Sequence, residues 1–191
     1  ILIVIAGVLI GYLVARRRGT ATASLDTVLM VPYLVPGIVM GIALVTRFNV
    51  PPLAITGTGL IIVLAVFVRR LPYASRAVAM ALRQLSPSLE EAAISLGYRP
   101  WQAFTKVTVP LIAPGIMAGA LMSFVTAMNE LSASLVLYVG GTITMPVRIY
   151  LSVMDGEYGT ASALASILLF LTVLAVYAAF RISGRRQSVL L

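Results

Sequence analysis

Apolar and polar positions along this chain come in blocks the length of membrane spans. Residues 1–15, ILIVIAGVLIGYLVA, form an unbroken apolar run closed by Arg16-Arg17-Arg18. The run is about five residues short of the ~20 that cross a bilayer, as expected of a span that begins upstream. Residues 24–46 form a second apolar block, with Ser24 or Asp26 as its cap and Pro32 and Pro36 interrupting its backbone hydrogen bonding. Gly37-x-x-x-Gly41 gives this block a face for close helix approach. Tight packing in a bundle is one reading of these residues, and lining a pathway is the other. Residues 47–57, RFNVPPLAITG, punctuate the chain as a loop. A third span then starts near Gly57, but its uncharged run ends at Val68, about a dozen residues on and too short to cross. Arg69 and Arg70 therefore either lie at membrane depth or snorkel from a tilted helix that continues to Arg83.

The longest stretch that could not sit in a bilayer follows, from Ser86 to Gly115: SPSLEEAAISLGYRPWQAFTKVTVPLIAPG. It opens like a helix. Ser86 or Ser88 can cap, Pro87 suits a first helical position, and Ser88 with Glu91 has the spacing of a capping box. Leu89, Ala92, Ala93 and Leu96 recur at helical spacing, and Gly97 is the stop, expected at positive φ. A second short helix begins at Pro100-Trp101, and Pro110 and Pro114 mark the return to apolar sequence. Such a helix either docks a partner or lies on the bilayer surface.

A fourth span runs from about Leu111 to Thr126 and continues through MNELSASLVLYV, with Gly115, Ala118, Gly119 and Ala120 as its small-residue face. Glu130 falls at or near membrane depth in it. It is either a functional carboxylate or a helix-end carboxylate in the headgroup region. Residues 139–160 carry Gly-Gly, Asp-Gly and Tyr-Gly turn signals and read as an external loop with a short helix. The last span is 161–180, followed by Arg181, Arg185 and Arg186.

Composition agrees with the blocks. Of 191 residues, 60% are hydrophobic and 10% charged, against about 25% charged in soluble domains. The formal net charge of +8 sits at the ends of apolar runs, which makes anionic lipid rather than nucleic acid the neighbour. Arg16, Arg17, Arg18, Arg76, Arg83, Arg99, Lys106, Arg181, Arg185 and Arg186 fall on one side, and only Arg47 and Arg148 on the other. The positive-inside rule makes the first side cytoplasmic, together with the 86–110 loop and the C-terminus. Ile1 lies inside an apolar run with no initiator Met and no basic leader, so the chain is expected to be the C-terminal part of something longer.

Much chemistry is excluded. The sequence has no Cys and no His, hence no thiolate, disulfide or imidazole chemistry. It has no G-x-x-x-x-G-K-[ST] stretch to cradle ATP. Its carboxylates are Asp26, Glu90, Glu91, Glu130, Asp155 and Glu157. Glu90 and Glu91 are adjacent on a helix and point about 100° apart, which argues against a paired acid-base site. No catalytic, cofactor-binding or metal-binding residue is assigned.

Glu91-Ala92-Ala93, three residues, Gly97, nine residues and Val107-Thr108-Val109-Pro110 together resemble the EAA loop of binding-protein-dependent ABC importer permeases. Val107 and Val109 stand where that pattern has Ile and Leu, and they keep apolar bulk. RRLPYASRA, FVTAMNELSASLVLY, TITMPVRIY and EYGTASALASILL look like the ferric-iron subgroup of that family. The resemblance implies an all-α polytopic membrane bundle with about five transmembrane helices of a six-helix importer half, its first span lacking. It also implies a cytoplasmic coupling loop over 84–110, with Glu90, Glu91, Ala92, Ala93, Leu96, Gly97 and Pro110 as the residues that meet an ATPase dimer. The implied setting is the bacterial inner membrane, and the implied partners are an extracytoplasmic solute-binding protein and a second permease half. ATP and magnesium would be held by the partner ATPase, and transport would proceed by alternating access. Ferric iron is the expected substrate; phosphonate, sulfate, molybdate and polyamine importers share the architecture. An ion-coupled secondary transporter and a docking scaffold are readings from other classes.

One further expectation comes from geometry. Arg69 lies about 18 Å along a helix from Gly57, and Glu130 roughly 24 Å from Pro114. Across a ~30 Å core those depths bring Glu130 within reach of Arg69 or Arg70, and an unpaired charge there is costly.

Overall fold

The computed structural model describes residues 1–17 and 19–187, with side chains to Arg181. Arg18 and the side chains of Arg185 and Arg186, counted above toward topology, lie outside what is described. Among the described residues every regular element is helical. The chain divides into two compact units, one built from Ile1–Leu29 and Leu71–Ser123, the other from Met30–Arg70 and Phe124–Ile182.

Helix α1 spans Leu2–Arg16, and α2 spans Thr20–Leu34. Ser24 and Asp26 therefore lie inside α2 rather than capping it. The Thr22 hydroxyl makes the local bonds at that end, to the carbonyls of Arg17 and Gly19. Asp26 instead faces Arg76 Nη2 at 3.7 Å. The expected continuous span 24–46 is broken: α2 and α3, Gly37–Phe48, meet at 105°. Pro36, which cannot donate a backbone hydrogen bond, sits in extended conformation at the break.

Helix α4 runs unbroken over Gly59–Gln84, with Pro72 inside it. Helix α5 is Ser88–Ser95 and α6 is Pro100–Ala103; a π-helical turn follows over Phe104–Thr108, then α7, Val109–Leu111. Helix α8, Ala113–Met128, leaves this segment at 71°. It stops at Met128 instead of continuing through Glu130. A turn over residues 129–133 leads to the short α9, Ser134–Leu137. Next come α10, Met145–Met154, and α11, Tyr158–Gln187.

Among the described residues, by length and composition, only Tyr158–Arg181 is a complete span alone; the bent pairs α2–α3 and α6–α8 qualify jointly. Helix α1 is shorter, and α4, though 26 residues long, carries Arg69, Arg70, Arg76 and Arg83. Along the 24-residue apolar stretch in α11 only Ala161 is buried, and most of the apolar side chains are exposed. A helix apolar on all sides belongs in lipid or against other helices.

Each unit has its own core. In the first, Val78 and Leu82 of α4 pack on Ile112, with Val8, Tyr12 and Ile116 around them. In the second, Ile61, Ile62 and Ala65 of α4 pack on Ala133 and Leu137, with Leu44 and Val45 of α3 against them. Glycine pairs set the helix spacing. A Cβ on Gly7 or Gly11 of α1 would fall 2.5–2.8 Å from atoms of α4, and Gly115 and Gly119 of α8 approach α4 almost as closely. In the second unit Gly37 and Gly41 of α3 lie against the segment from Ser132 to Val136.

Candidate functional site

The first candidate is the loop around α5. Residues after Gln84 leave α4, and Pro87 precedes α5. The expected Ser88–Glu91 capping box is absent, because Ser88 is already helical. Pro87 holds the cap position, and just before it the Ser86 hydroxyl accepts from the Ser88 N–H at 3.3 Å and meets the Ser88 hydroxyl at 2.7 Å. Glu90 and Glu91 occupy the first turn, where the helix dipole favours negative charge. Helix α5 ends as expected: Gly97 has φ +93, and the Gly97 and Tyr98 N–H groups close on the Ile94 and Ala93 carbonyls. A side chain at that φ would be strained. Arg99 starts the next turn, its N–H donating to Gln102 Oε1 at 3.0 Å.

The loop sorts its residues into an inner and an outer face. Ala93 is buried within its unit, whereas Glu91, Ala92, Leu96, Gly97 and Pro110 are exposed. The inner face packs α5 on α6 and the π turn. Glu90 turns inward too: the Tyr12 hydroxyl donates to its Oε1 at 2.7 Å, and the Thr108 hydroxyl to its Oε2 at 3.3 Å. Outside, Leu96 is 82% exposed and Trp101 64%, with Leu89, Ile94 and Tyr98 also exposed. Of the loop residues the sequence points to, Ala93 and Glu90 lie on the inner side, while Trp101 and Tyr98, which it does not single out, are exposed beside the helix stop. The aromatic character of those two, next to the helix stop, was the available signal.

The second candidate is the charge cluster in the other unit. Arg69 Nη1 donates to both Glu130 carboxylate oxygens at 2.8 Å. Arg70 Nη2 donates to Oε2, and the Ala133 N–H donates to Oε1 at 3.1 Å. Glu130 is only 5% exposed. The turn after α8 carries the carboxylate to the two arginines of α4, and Gly37 closes the cluster: a Cβ there would lie 2.6 Å from Arg69 Nη1. Two guanidinium groups on one carboxylate leave the cluster with one net positive charge.

An all-helical chain with a long apolar helix, two bent apolar helix pairs and an amphipathic loop that presents an apolar face defines a polytopic membrane permease domain. Residues 7–189 match the family described as binding-protein-dependent transport system inner membrane component, and the chain belongs to that family. It is 37% identical over 163 residues to the ferric transport system permease protein FbpB of Actinobacillus pleuropneumoniae, covering 85% of this chain and 24% of that protein. It is 29% identical over 194 residues to the sulfate transport system permease protein CysT of Escherichia coli, covering 94% of this chain and 69% of that one. The chain thus spans about a quarter of the length of the ferric relative. In fold it is similar to a chain of the bacterial alginate ABC transporter crystallised with its alginate-bound periplasmic protein. The TM-score is 0.78 at 17% identity, covering 95% of this chain and 72% of that chain.

Proposed function

We propose that this chain is a transmembrane permease domain of an ATP-driven importer that carries ferric iron, its α5–α6 loop docked on a cytoplasmic ATPase dimer. The exposed apolar set of Leu89, Ile94, Leu96, Tyr98 and Trp101 around Gly97 carries this reading. Apolar surface concentrated on a polar loop outside the spans has no reason to stay bare, and it suits a groove on a partner. The ATPase hydrolyses ATP with its own magnesium. Its closure moves the loop, and two permease halves rock so that a solute-binding protein can deliver substrate from outside. The similarity to a ferric permease supports iron as the substrate; sulfate or phosphonate is the alternative within the same class.

The test is uptake into proteoliposomes holding the permease, its ATPase and its binding protein. ATP-dependent accumulation of ferric iron, lost with a catalytically dead ATPase, is expected. Uptake driven by an ion gradient without ATP would overturn the class, and ATP-driven uptake of sulfate alone would move the substrate. Docking has its own test. Leu96→Asp should lose about 2 kcal/mol at a central contact, roughly thirtyfold in affinity, and release the ATPase during purification. Gly97→Val should do the same by straining the helix stop. Normal co-purification of both variants would remove the loop from the interface.

Orientation is tested by thiol labelling, which the cysteine-free sequence makes clean. Ser88→Cys and Gln102→Cys are expected to react only from the cytoplasmic side, and Thr142→Cys and Thr160→Cys only from outside. Reaction of Ser88→Cys with an impermeant reagent in intact cells would reverse the topology.

A further inference from the structure

Glu90 and Glu91 are neighbours on one short helix, yet only Glu91 is exposed to a partner. Glu90 points into its own unit and joins three elements far apart in sequence. Tyr12 lies near the end of α1 and Thr108 at the end of the π turn; both donate to it, and Thr108 is 1% exposed. The Tyr12 ring also packs edge-on against Phe104 of the π turn, centroids 4.8 Å apart. Arg16, the last residue of α1, donates from Nη1 to the Leu85 carbonyl at 3.3 Å. Its Nε stands 4.0 Å from Glu90 Oε2, and its Nε and Nη2 are buried without a hydrogen bond.

We propose that Glu90 is a positioning residue that locks α5 to α1 and the π turn, so that displacement of α5 moves all three as one body. Arg16 of α1 sets a positive charge beside the same carboxylate. The inference rests on the reading of α5 as the helix that a partner ATPase displaces. A two-residue contact between apolar faces could slip. A carboxylate held by donors from two other elements cannot rotate without leaving buried polar groups unpaired. Arg16 Nε, 4.0 Å from Glu90 Oε2, adds charge attraction between α1 and α5 to the two hydroxyl bonds.

The test uses the full complex of permease, ATPase and binding protein in proteoliposomes, with substrate moved per ATP hydrolysed as the readout. Tyr12→Phe and Thr108→Val each remove one hydroxyl at nearly unchanged volume, and Glu90→Gln removes the charge. The ATPase should co-purify with all three variants. Substrate moved per ATP should fall about tenfold in Tyr12→Phe and Glu90→Gln, and less in Thr108→Val, whose bond is the longer. Tyr12→Phe/Glu90→Gln should be no worse than its worse single variant, because the two act as a unit. An unchanged transport ratio in Tyr12→Phe and Glu90→Gln would overturn the proposal. So would additive losses, or release of the ATPase by these variants, which would make Glu90 a docking or folding residue. Failure of the unmodified complex to show any ATP-dependent uptake would instead overturn the importer reading itself.

Discussion

Glu130→Ala should abolish uptake and sharply reduce the folded permease recovered from membranes. The carboxylate accepts four hydrogen bonds, three from the guanidinium groups of Arg69 and Arg70 and one from the Ala133 N–H. Removing it leaves two half-buried cations with no shared counter-charge, a loss approaching the ~3–5 kcal/mol seen when one partner of a buried pair is deleted. That is a large fraction of the ~5–15 kcal/mol that holds a typical domain together. Glu130→Gln keeps the shape but raises the cluster from one net positive charge to two, so it should also fold poorly. Glu130→Gln with Arg69→Gln returns the charge to one, and the folded amount should recover on fluorescence-detected size exclusion. Uptake should recover with it, because the carboxylate's lone pairs are engaged within the protein and Gly37 packs against Arg69. Restored folding without restored uptake would assign the three residues to the transport path.

The cluster shows how much the sequence could convey. Helical rise alone brought Glu130 and the two arginines to matching depths, because a charge without a partner in an apolar stretch is a strong constraint. The same rise led to a continuous helix through residue 130, whereas α8 ends at Met128 and a turn delivers the carboxylate. Apolar composition reports what is buried in lipid or protein, not where the backbone turns. Likewise Pro32 and Pro36 announced a lost hydrogen bond, but not that α2 and α3 would meet at 105°. In the loop, the limits of α5 and the left-handed Gly97 were legible because glycine and proline act locally. Which of Glu90 and Glu91 faces inward was not, since a 100° step separates two faces without saying which one is covered. That depends on Tyr12, 78 residues away.

Gly7→Ala should destabilise the first unit, although alanine is the better helix former. In a helix interior the exchange gains about 1 kcal/mol, and Gly159 in the first turn of α11, with nothing within 4 Å of an added Cβ, is the control where no clash opposes the substitution. At Gly7 the new Cβ would lie 2.5 Å from Ala74 Cβ and 3.1 Å from the backbone of Ala74 and Ser75. Those are atoms of a helix, not the end of a flexible side chain, so α1 and α4 must separate. Overpacking of this kind costs about 1–3 kcal/mol. The cost is raised here because Ala74 is also touched from α8, its Cα lying 3.0 Å from the position of a Cβ on Gly119. Helix α4 cannot retreat from α1 without pressing on α8. Gly7→Leu should therefore leave almost no folded protein, and Gly7→Ala should lower the midpoint of thermal unfolding in detergent by several degrees. Ala74→Gly should partly rescue Gly7→Ala by moving the methyl group from one helix to the other, less the propensity lost in α4. Equal unfolding midpoints for Gly7→Ala and Gly159→Ala would mean that the two helices are not held at this distance.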